Sequence, residues 1–203
     1  MRTLAVVSAG LSTPSSTRLL ADRLTDATVT ALGERGVEVR PEVIELRDRA
    51  RDLADHLVTG FPNAALRPVL EAVAGADGLI AVTPIFSASY SGLFKTFVDV
   101  LDRDALSGTP VLLGATAGTA RHQLALDHAL RPLFAYLHAT VVPAGVFAAA
   151  EDWGGSDWGS GPELADRITR AGRELADLVA ARPASTVTDP FADPVPFEQL
   201  LTG

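Results

Sequence analysis

Apolar positions along the chain fall into two alternating patterns. Short, nearly continuous apolar runs occupy Thr3–Ser8, Val37–Glu45, Gly78–Thr83, Pro110–Thr116 and Ala139–Phe147. A run with no polar face is what a parallel strand needs when helices cover it on both sides. Between these runs the apolar residues recur at helical spacing. This predicts helices over Ser15–Leu32 and Asn63–Ala74, one starting near Gly92, one over Thr119–Leu137 and a last one over Pro162–Ala181. Strand–helix alternation implies right-handed crossovers and a doubly wound α/β sandwich. Five strands favour the order 2-1-3-4-5 over that of a six-stranded dinucleotide-binding sheet. In that order a ligand is expected beyond the C-terminal ends of strands 1, 3 and 4.

The segments left over are less regular. Arg47–Phe61 mixes charge with Leu53 and Leu57; a short helix or a flap fits it, and a surface connection is the leading reading. Glu151–Gly161 is a Gly- and Trp-rich loop, and the chain from Pro183 carries four prolines and the spaced aromatics Phe191 and Phe197. We expect one domain over 1–182 and an irregular tail over 183–203 that packs on a neighbouring subunit. The formal net charge of −8 argues against a nucleic-acid backbone as partner. The absence of Cys rules out disulfides and fits a cytoplasmic setting. No apolar run reaches membrane-spanning length, and the strand pattern beginning at Thr3 leaves no room for a secretory signal.

Three loops follow the strand ends expected to carry a ligand. The first, Ser8-Ala9-Gly10-Leu11-Ser12-Thr13-Pro14-Ser15-Ser16-Thr17-Arg18, leads from strand 1 into a helix. It gathers backbone N–H groups and short hydroxyls around one point, which suits an anion. It has neither the Gly-rich dinucleotide fingerprint nor the Lys of a nucleoside-triphosphate loop. A single phosphate monoester, of the kind FMN carries, therefore fits better than a bridging pyrophosphate. A plain capped helix after a buried strand shows the same residues, so this loop alone leaves both readings open.

The second loop runs Thr83-Pro84-Ile85-Phe86-Ser87-Ala88-Ser89-Tyr90-Ser91-Gly92. Pro84 fixes the exit from the sheet, and Ser87, Ser89 and Ser91 are small enough to let a planar ring approach the backbone. Phe86 either stacks on such a ring or belongs to the core. The third loop, Ala115-Thr116-Ala117-Gly118-Thr119, enters the helix that bears His122 and His128. Gly118 permits close approach or a positive φ, and Thr116 and Thr119 supply donors. His122 faces a ligand edge or caps the helix surface. On one regular helix His122 and His128 do not share a face, so no metal site is expected.

These residues resemble the NAD(P)H-dependent FMN reductase family, whose fold is flavodoxin-like, over about Arg2 to Trp153. Thr83-Pro84-Ile85-Phe86-Ser87-Ala88-Ser89-Tyr90-Ser91-Gly92-Leu93-Phe94-Lys95, with Phe97 and Asp99, is similar to the family's Pro–aromatic–Ser/Asn and Gly–Leu–Lys segment. Gly118-Thr119-Ala120-Arg121-His122 and Leu126-Asp127-His128-Ala129-Leu130-Arg131-Pro132-Leu133 resemble the reductases that supply alkanesulfonate monooxygenases. The Ser-Ala-Gly-Leu-Ser start and Glu151-Asp152-Trp153 resemble an actinobacterial subgroup whose genes accompany luciferase-like monooxygenases.

The resemblance implies FMN and NADPH or NADH as cofactors, with cofactor-binding residues among Ser8, Gly10, Leu11, Ser12, Ser15, Ser16, Thr17, Pro84, Ile85, Phe86, Ser87, Ser89, Thr116, Ala117, Gly118, Thr119 and His122. It implies hydride transfer from nicotinamide to flavin N5 with no side chain acting as a catalytic acid or base, since the cofactor carries the chemistry. It implies a homodimer or homotetramer with a two-fold interface near Leu93, Phe94 and Phe97, and a luciferase-like monooxygenase as acceptor of reduced FMN. The departures are specific. Ser8-Ala9 and Leu11 stand where better-known members carry Gly-Ser and an Arg, which leaves the phosphate to the loop hydroxyls, with Arg18 assisting or serving as surface charge. Phe86 replaces the family's usual Tyr. His128 falls where sulfonate-linked relatives place a residue in a widened helical turn at a tetramer interface; periodicity shows no widening here, and an ordinary α-helix is expected. Two rivals share the fold: an FMN-dependent quinone, azo or chromate reductase, and a non-enzymatic electron carrier.

Overall fold

A computed structural model of the chain describes residues 1–153 and 161–183. The elements follow in the order β1 (Arg2–Ser8), α1 (Ser16–Glu34), β2 (Val39–Glu45), α2 (Ala50–Thr59), α3 (Arg67–Ala74), β3 (Gly78–Phe86), β4 (Ser89–Tyr90), α4 (Gly92–Asp99), β5 (Pro110–Ala117), α5 (Arg131–Tyr136), β6 (Thr140–Val141), β7 (Val146–Ala149) and α6 (Pro162–Ala181). The expected tail and most of the Gly/Trp loop lie outside the described residues.

Alternation of side chains along each strand builds two cores. Ala5, Val7, Leu79, Ala81, Val111 and Leu113 face one side, where Leu46, Leu53, Phe94, Phe97 and Phe134 cover them. Leu4, Val6, Ile80, Val82 and Leu112 face the other, under Leu20 and Leu24 of α1 and Leu164 and Leu175 of α6. This is the three-layer arrangement the continuous apolar runs predict. The long helices meet closely at Gly172, where an added Cβ would lie 2.8 Å from Ala27 Cβ and 2.9 Å from the Ala27 carbonyl carbon.

The parallel order is β2-β1-β3-β5-β6, with β7 also paired to β5 and β4 paired antiparallel to β3. The sheet thus has seven strands where five were expected. Two causes account for the difference. The expected last strand breaks at Pro143, which has no N–H to give the ladder. Pairing runs Pro110↔Thr140 and Val111↔Val141, then resumes at Gly114↔Val146, so the break inserts two residues. The other addition is β4, because β3 runs three residues past Thr83 and folds back through Ser87 and Ala88, at φ 49° and 68°.

The helices also differ from expectation in two places. Arg47–Phe61 is not a plain connection: it contains α2, which buries Leu53 against the sheet. The predicted helix over Thr119–Leu137 is instead a 3₁₀ turn (Ala120–His122), a π turn (Leu126–Leu130) and the short α5. Pro132 explains the widening. Its ring would collide with the His128 carbonyl in a regular α-helix, and it lacks the N–H to bond there. Phe94 and Phe97 are 0% and 2% exposed and belong to the monomer core, so they are not available to an interface; only Leu93 of that trio remains partly exposed.

Candidate functional site

β1, β3 and β5 are neighbours in the sheet, and their C-terminal ends bring the three loops together. The cleft between them has a volume of about 490 Å³, within the usual range for small-molecule sites. Its wall comes from Leu11, Ser12, Ser15, Ser16 and Thr17, from Pro84, Ile85 and Phe86, and from Thr116, Ala117 and Gly118. Ala150 and Trp153, on a 3₁₀ turn after β7, complete it.

One end of the cleft is polar. Ser15 caps α1, its Oγ accepting the Arg18 N–H at 3.2 Å. A helix leaves its first N–H groups without intrahelical partners, so those of Ser16 and Thr17 stand at the cleft. No acidic residue lies in the first turn of α1, and the positive end of the helix is left open to an anion. Gly10 makes the geometry possible, since a Cβ there would lie 2.1 Å from Ser15 Oγ. Thr17 and Thr116 share a buried hydrogen bond of 2.8 Å between their hydroxyls, which ties the start of α1 to the end of β5. Ser8 continues the alternation that puts Leu4 and Val6 on the α1 face. It is 1% exposed, and its Oγ has no hydrogen-bond partner among the described residues.

Two arginines flank this end. Arg18 is held by Asp22 at 2.8 Å and Glu45 at 2.6 Å. Its pKa is raised, chiefly by the hydrogen bond to Asp22, so the guanidinium is already committed to carboxylates. Arg47 donates to the Ser12 carbonyl at 2.9 Å and to the Thr13 hydroxyl, and pairs with Glu45 at 3.1 Å. The loop is therefore clamped by a residue from the turn after β2. Sequence alone does not place Arg47 beside Ser12, because the contact joins segments far apart along the chain.

The rest of the lining is mainly apolar, from Pro84, Ile85, Phe86, Ala117, Gly118, Ala150 and Trp153. Thr83 Oγ1 accepts the Ser91 N–H at 3.1 Å, and Ser91 Oγ accepts the Phe94 N–H at 3.2 Å. Ser91 is thereby spent on capping α4. Phe86, 49% exposed, forms the lip. Gly118 lines the cleft without a positive φ, and beyond its chain neighbours an added Cβ would meet no atom of the described residues within 4 Å. Its value is open space, not backbone conformation. Ala150–Trp153 is fixed by Asp152, which accepts the Ala149 N–H at 2.8 Å and an Arg167 N–H at 2.7 Å. Of the expected cofactor-binding residues, Ser8, Gly10, Ser87, Ser89, Thr119 and His122 do not line the cleft. Thr119 caps the 3₁₀ turn, while His122 faces a second recess together with His128. The irregular turns bring these two imidazoles onto one recess, which a regular helix would not.

Fold and cleft together define a flavodoxin-like protein whose cleft is lined by hydroxyls at the start of α1 and otherwise mainly by apolar residues. The sequence pattern of the family described as NADPH-dependent FMN reductase matches residues 1–154. The chain is 40% identical to the FMN reductase (NADPH) of Pseudomonas aeruginosa over 176 residues, 87% of this chain and 91% of that one. It is also 40% identical to the NADH-dependent FMN reductase SfnE of Pseudomonas putida, covering 88% and 92% of the two chains. A solved oxidoreductase from Corynebacterium diphtheriae superposes with a TM-score of 0.86 at 50% identity, over 90% of this chain and 99% of that one. The chain belongs to the NADPH-dependent FMN reductase family. It is a flavin oxidoreductase that works with FMN and NAD(P)H. Among the described residues no helix is long and apolar enough to cross a membrane.

The cleft suits FMN on its own terms. Hydroxyls and helix N–H groups, with no carboxylate among the residues that line the cleft, suit the phosphate. The open space at Gly118, opposite Pro84–Phe86, leaves room for a ring.

Proposed function

We propose that the cleft holds FMN with its phosphate at the start of α1 and its ring between Pro84–Phe86 and Ala117–Gly118, and that the reduced flavin is handed to a partner monooxygenase of the luciferase-like class. The observation that carries this reading is the polarity of one cleft: five hydroxyl residues at one end, Ser12, Ser15, Ser16, Thr17 and Thr116, and apolar residues at the other. FMN when bound accepts hydride equivalents from NAD(P)H and supplies the redox chemistry. The chain's own contribution is to orient and to bind. Ser15, Ser16 and Thr17 take the phosphate, Thr116 and Gly10 hold that cradle in shape, and Trp153 closes one side. No acid or base is required of a side chain. Ser87, Ser89, Thr119 and His122 belong to the support around the cleft.

Handing on reduced flavin favours a site open at its lip, and the exposed Phe86 and Gly118 fit such an opening. A cytoplasmic setting follows from the need for reduced nicotinamide. Two copies pairing over the apolar patch of Leu57, Val58 and Phe61, which are 52%, 85% and 78% exposed, would cover a surface that costs solubility in a monomer. The test is steady-state NAD(P)H oxidation with and without FMN, then with the monooxygenase added. FMN-dependent oxidation that drives monooxygenase turnover supports the proposal. Rapid reduction by an electron-transfer protein with negligible use of NAD(P)H would replace it by the electron-carrier reading.

A further inference from the structure

We infer that Arg47, in the turn after β2, is a positioning residue for the flavin phosphate: it holds the Leu11–Pro14 loop in the shape that receives the phosphate, and Glu45 ties that hold to α1. This rests on the reading of the cleft as the flavin site.

Leu11–Pro14 is exposed, yet Leu11 and Ser12 line the cleft. Backbone ties stop at the two ends of the loop, where the Ala9 N–H bonds the Val82 carbonyl at 2.9 Å and the Leu19 N–H bonds the Ser15 carbonyl at 3.0 Å. Between them, the hydrogen bonds that reach the loop from elsewhere among the described residues both come from Arg47. Its Nη1 donates to the Ser12 carbonyl at 2.9 Å and to the Thr13 hydroxyl. An exposed loop without a ladder has many shapes to lose when it closes on a ligand, and a residue that fixes it beforehand lowers that cost.

Arg47 is itself held in place. Its Nη2 lies 3.1 Å from Glu45 Oε2, and Glu45 Oε1 lies 2.6 Å from Arg18 Nη1. Glu45 pairs in register with Ser8, where β1 gives way to the loop, and Arg18 stands in the first turn of α1, where the loop has ended. One carboxylate therefore links the start of the loop, its middle and the helix whose free N–H groups stand at the cleft. Ion pairs this exposed add little stability. Their effect is to give the guanidinium one direction, toward Ser12 and Thr13.

The charges around Arg47 decide how it acts. Asp48 Oδ1 lies 3.6 Å from its Nε, so two carboxylates face this guanidinium. Asp22 and Glu45 engage Arg18 in the same way. Arg47 does not line the cleft. It works through the loop, not as a cation paired with the phosphate. The two roles give opposite results when Glu45 is neutralised. A positioning residue loses its anchor and FMN binds more weakly, whereas a phosphate-binding cation is set free and FMN binds more tightly.

The test titrates FMN and riboflavin into the wild type, Arg47→Ala, Arg47→Lys and Glu45→Gln, with flavin fluorescence as the readout. Arg47→Ala should raise the FMN Kd about tenfold and leave that of riboflavin within about twofold. Arg47→Lys should recover part of the loss, since an ammonium replaces only part of the fork. Glu45→Gln should raise the FMN Kd about threefold, again with riboflavin unchanged. In the Arg47→Ala background Glu45→Gln should change the FMN Kd by less than about twofold, because Glu45 acts through Arg47. Urea midpoints of the flavin-free proteins should stay close to that of the wild type, which separates the order of the loop from folding. If Arg47→Ala does not fold, Arg47→Lys and Glu45→Gln carry the decision. An FMN Kd unchanged in the folded variants would overturn the inference. FMN and riboflavin losses that rise together, or tighter FMN binding in Glu45→Gln, would overturn it too. A wild type that binds both flavins equally would remove the phosphate site itself. A wild type that prefers FMN, with variants that prefer it as strongly, would remove only the role of Arg47.

Discussion

Gly10→Ala probes the cradle at its tightest point. The added Cβ would lie 2.1 Å from Ser15 Oγ, and 3.2 Å from both Ser15 Cβ and Thr17 Cβ. Ser15 can rotate its hydroxyl away, but only by giving up the 3.2 Å cap on the Arg18 N–H. A lost cap costs about 0.5–2 kcal/mol. Thr17 cannot yield as easily, because it is 3% exposed and its hydroxyl is bonded to Thr116. Crowding of this kind adds to the cost, for a total of about 1–3 kcal/mol. The same rotation displaces donors at the phosphate end, so FMN should bind about tenfold more weakly while riboflavin changes little. Urea unfolding measures the stability, and flavin fluorescence titration measures both affinities. Ser15→Ala removes the clashing oxygen and loses the cap at the outset. In that background Gly10→Ala should therefore cost about 1 kcal/mol less than it does alone. Two changes that simply add, or equal losses for FMN and riboflavin, would refute the reasoning.

Thr116→Val leaves the Thr17 hydroxyl buried without its partner, and should lower stability by about 1–3 kcal/mol and weaken FMN, both read by the same two titrations. Ala88→Gly relieves a non-glycine residue at φ 68° and should raise the urea midpoint by the equivalent of about 0.5–1 kcal/mol. Gly172→Ala pushes a methyl to within 2.9 Å of the Ala27 backbone. It should cost about 1–3 kcal/mol in urea unfolding and leave FMN affinity unchanged, because the α1–α6 contact lies away from the cleft.

Much of the fold was legible because both of its periodicities are strong. The continuous apolar runs of Leu4–Val7, Leu79–Val82 and Val111–Leu113 located the central strands, and the helical spacing from Leu20 to Leu32 located α1. Their order followed from alternation, and with it the meeting of three loops at one edge. Local exceptions were less legible. Pro143 split the last strand and Pro132 widened the fifth helical segment, and both prolines stand in plain sight in the sequence. Their effect depends on which carbonyl lies four residues back and which strand lies alongside. Phe94 and Phe97 belong to an apolar helix face that reads the same whether it meets the chain's own sheet or another subunit. The hydroxyl-rich end of the cleft was legible in Ser15, Ser16 and Thr17, which the structure gathers there. Arg47 was missed because its role depends on a contact between segments far apart in sequence. His122 and His128 were set apart by assuming a regular helix that the chain does not form.

The central claim is that FMN in the cleft between Ser15–Thr17 and Pro84–Phe86 accepts hydride from NAD(P)H. It is tested most directly by single-turnover mixing of the FMN-loaded protein with NADPH and with NADH under anaerobic conditions, following the loss of flavin absorbance near 450 nm. The account predicts rapid and complete bleaching with at least one nucleotide, and a loss of FMN loading in the Ser16→Ala/Thr17→Ala double variant, whose fold stays intact. Wild-type protein that binds FMN yet leaves it oxidised with both nucleotides would contradict the account, as would a double variant that binds FMN as tightly as the wild type.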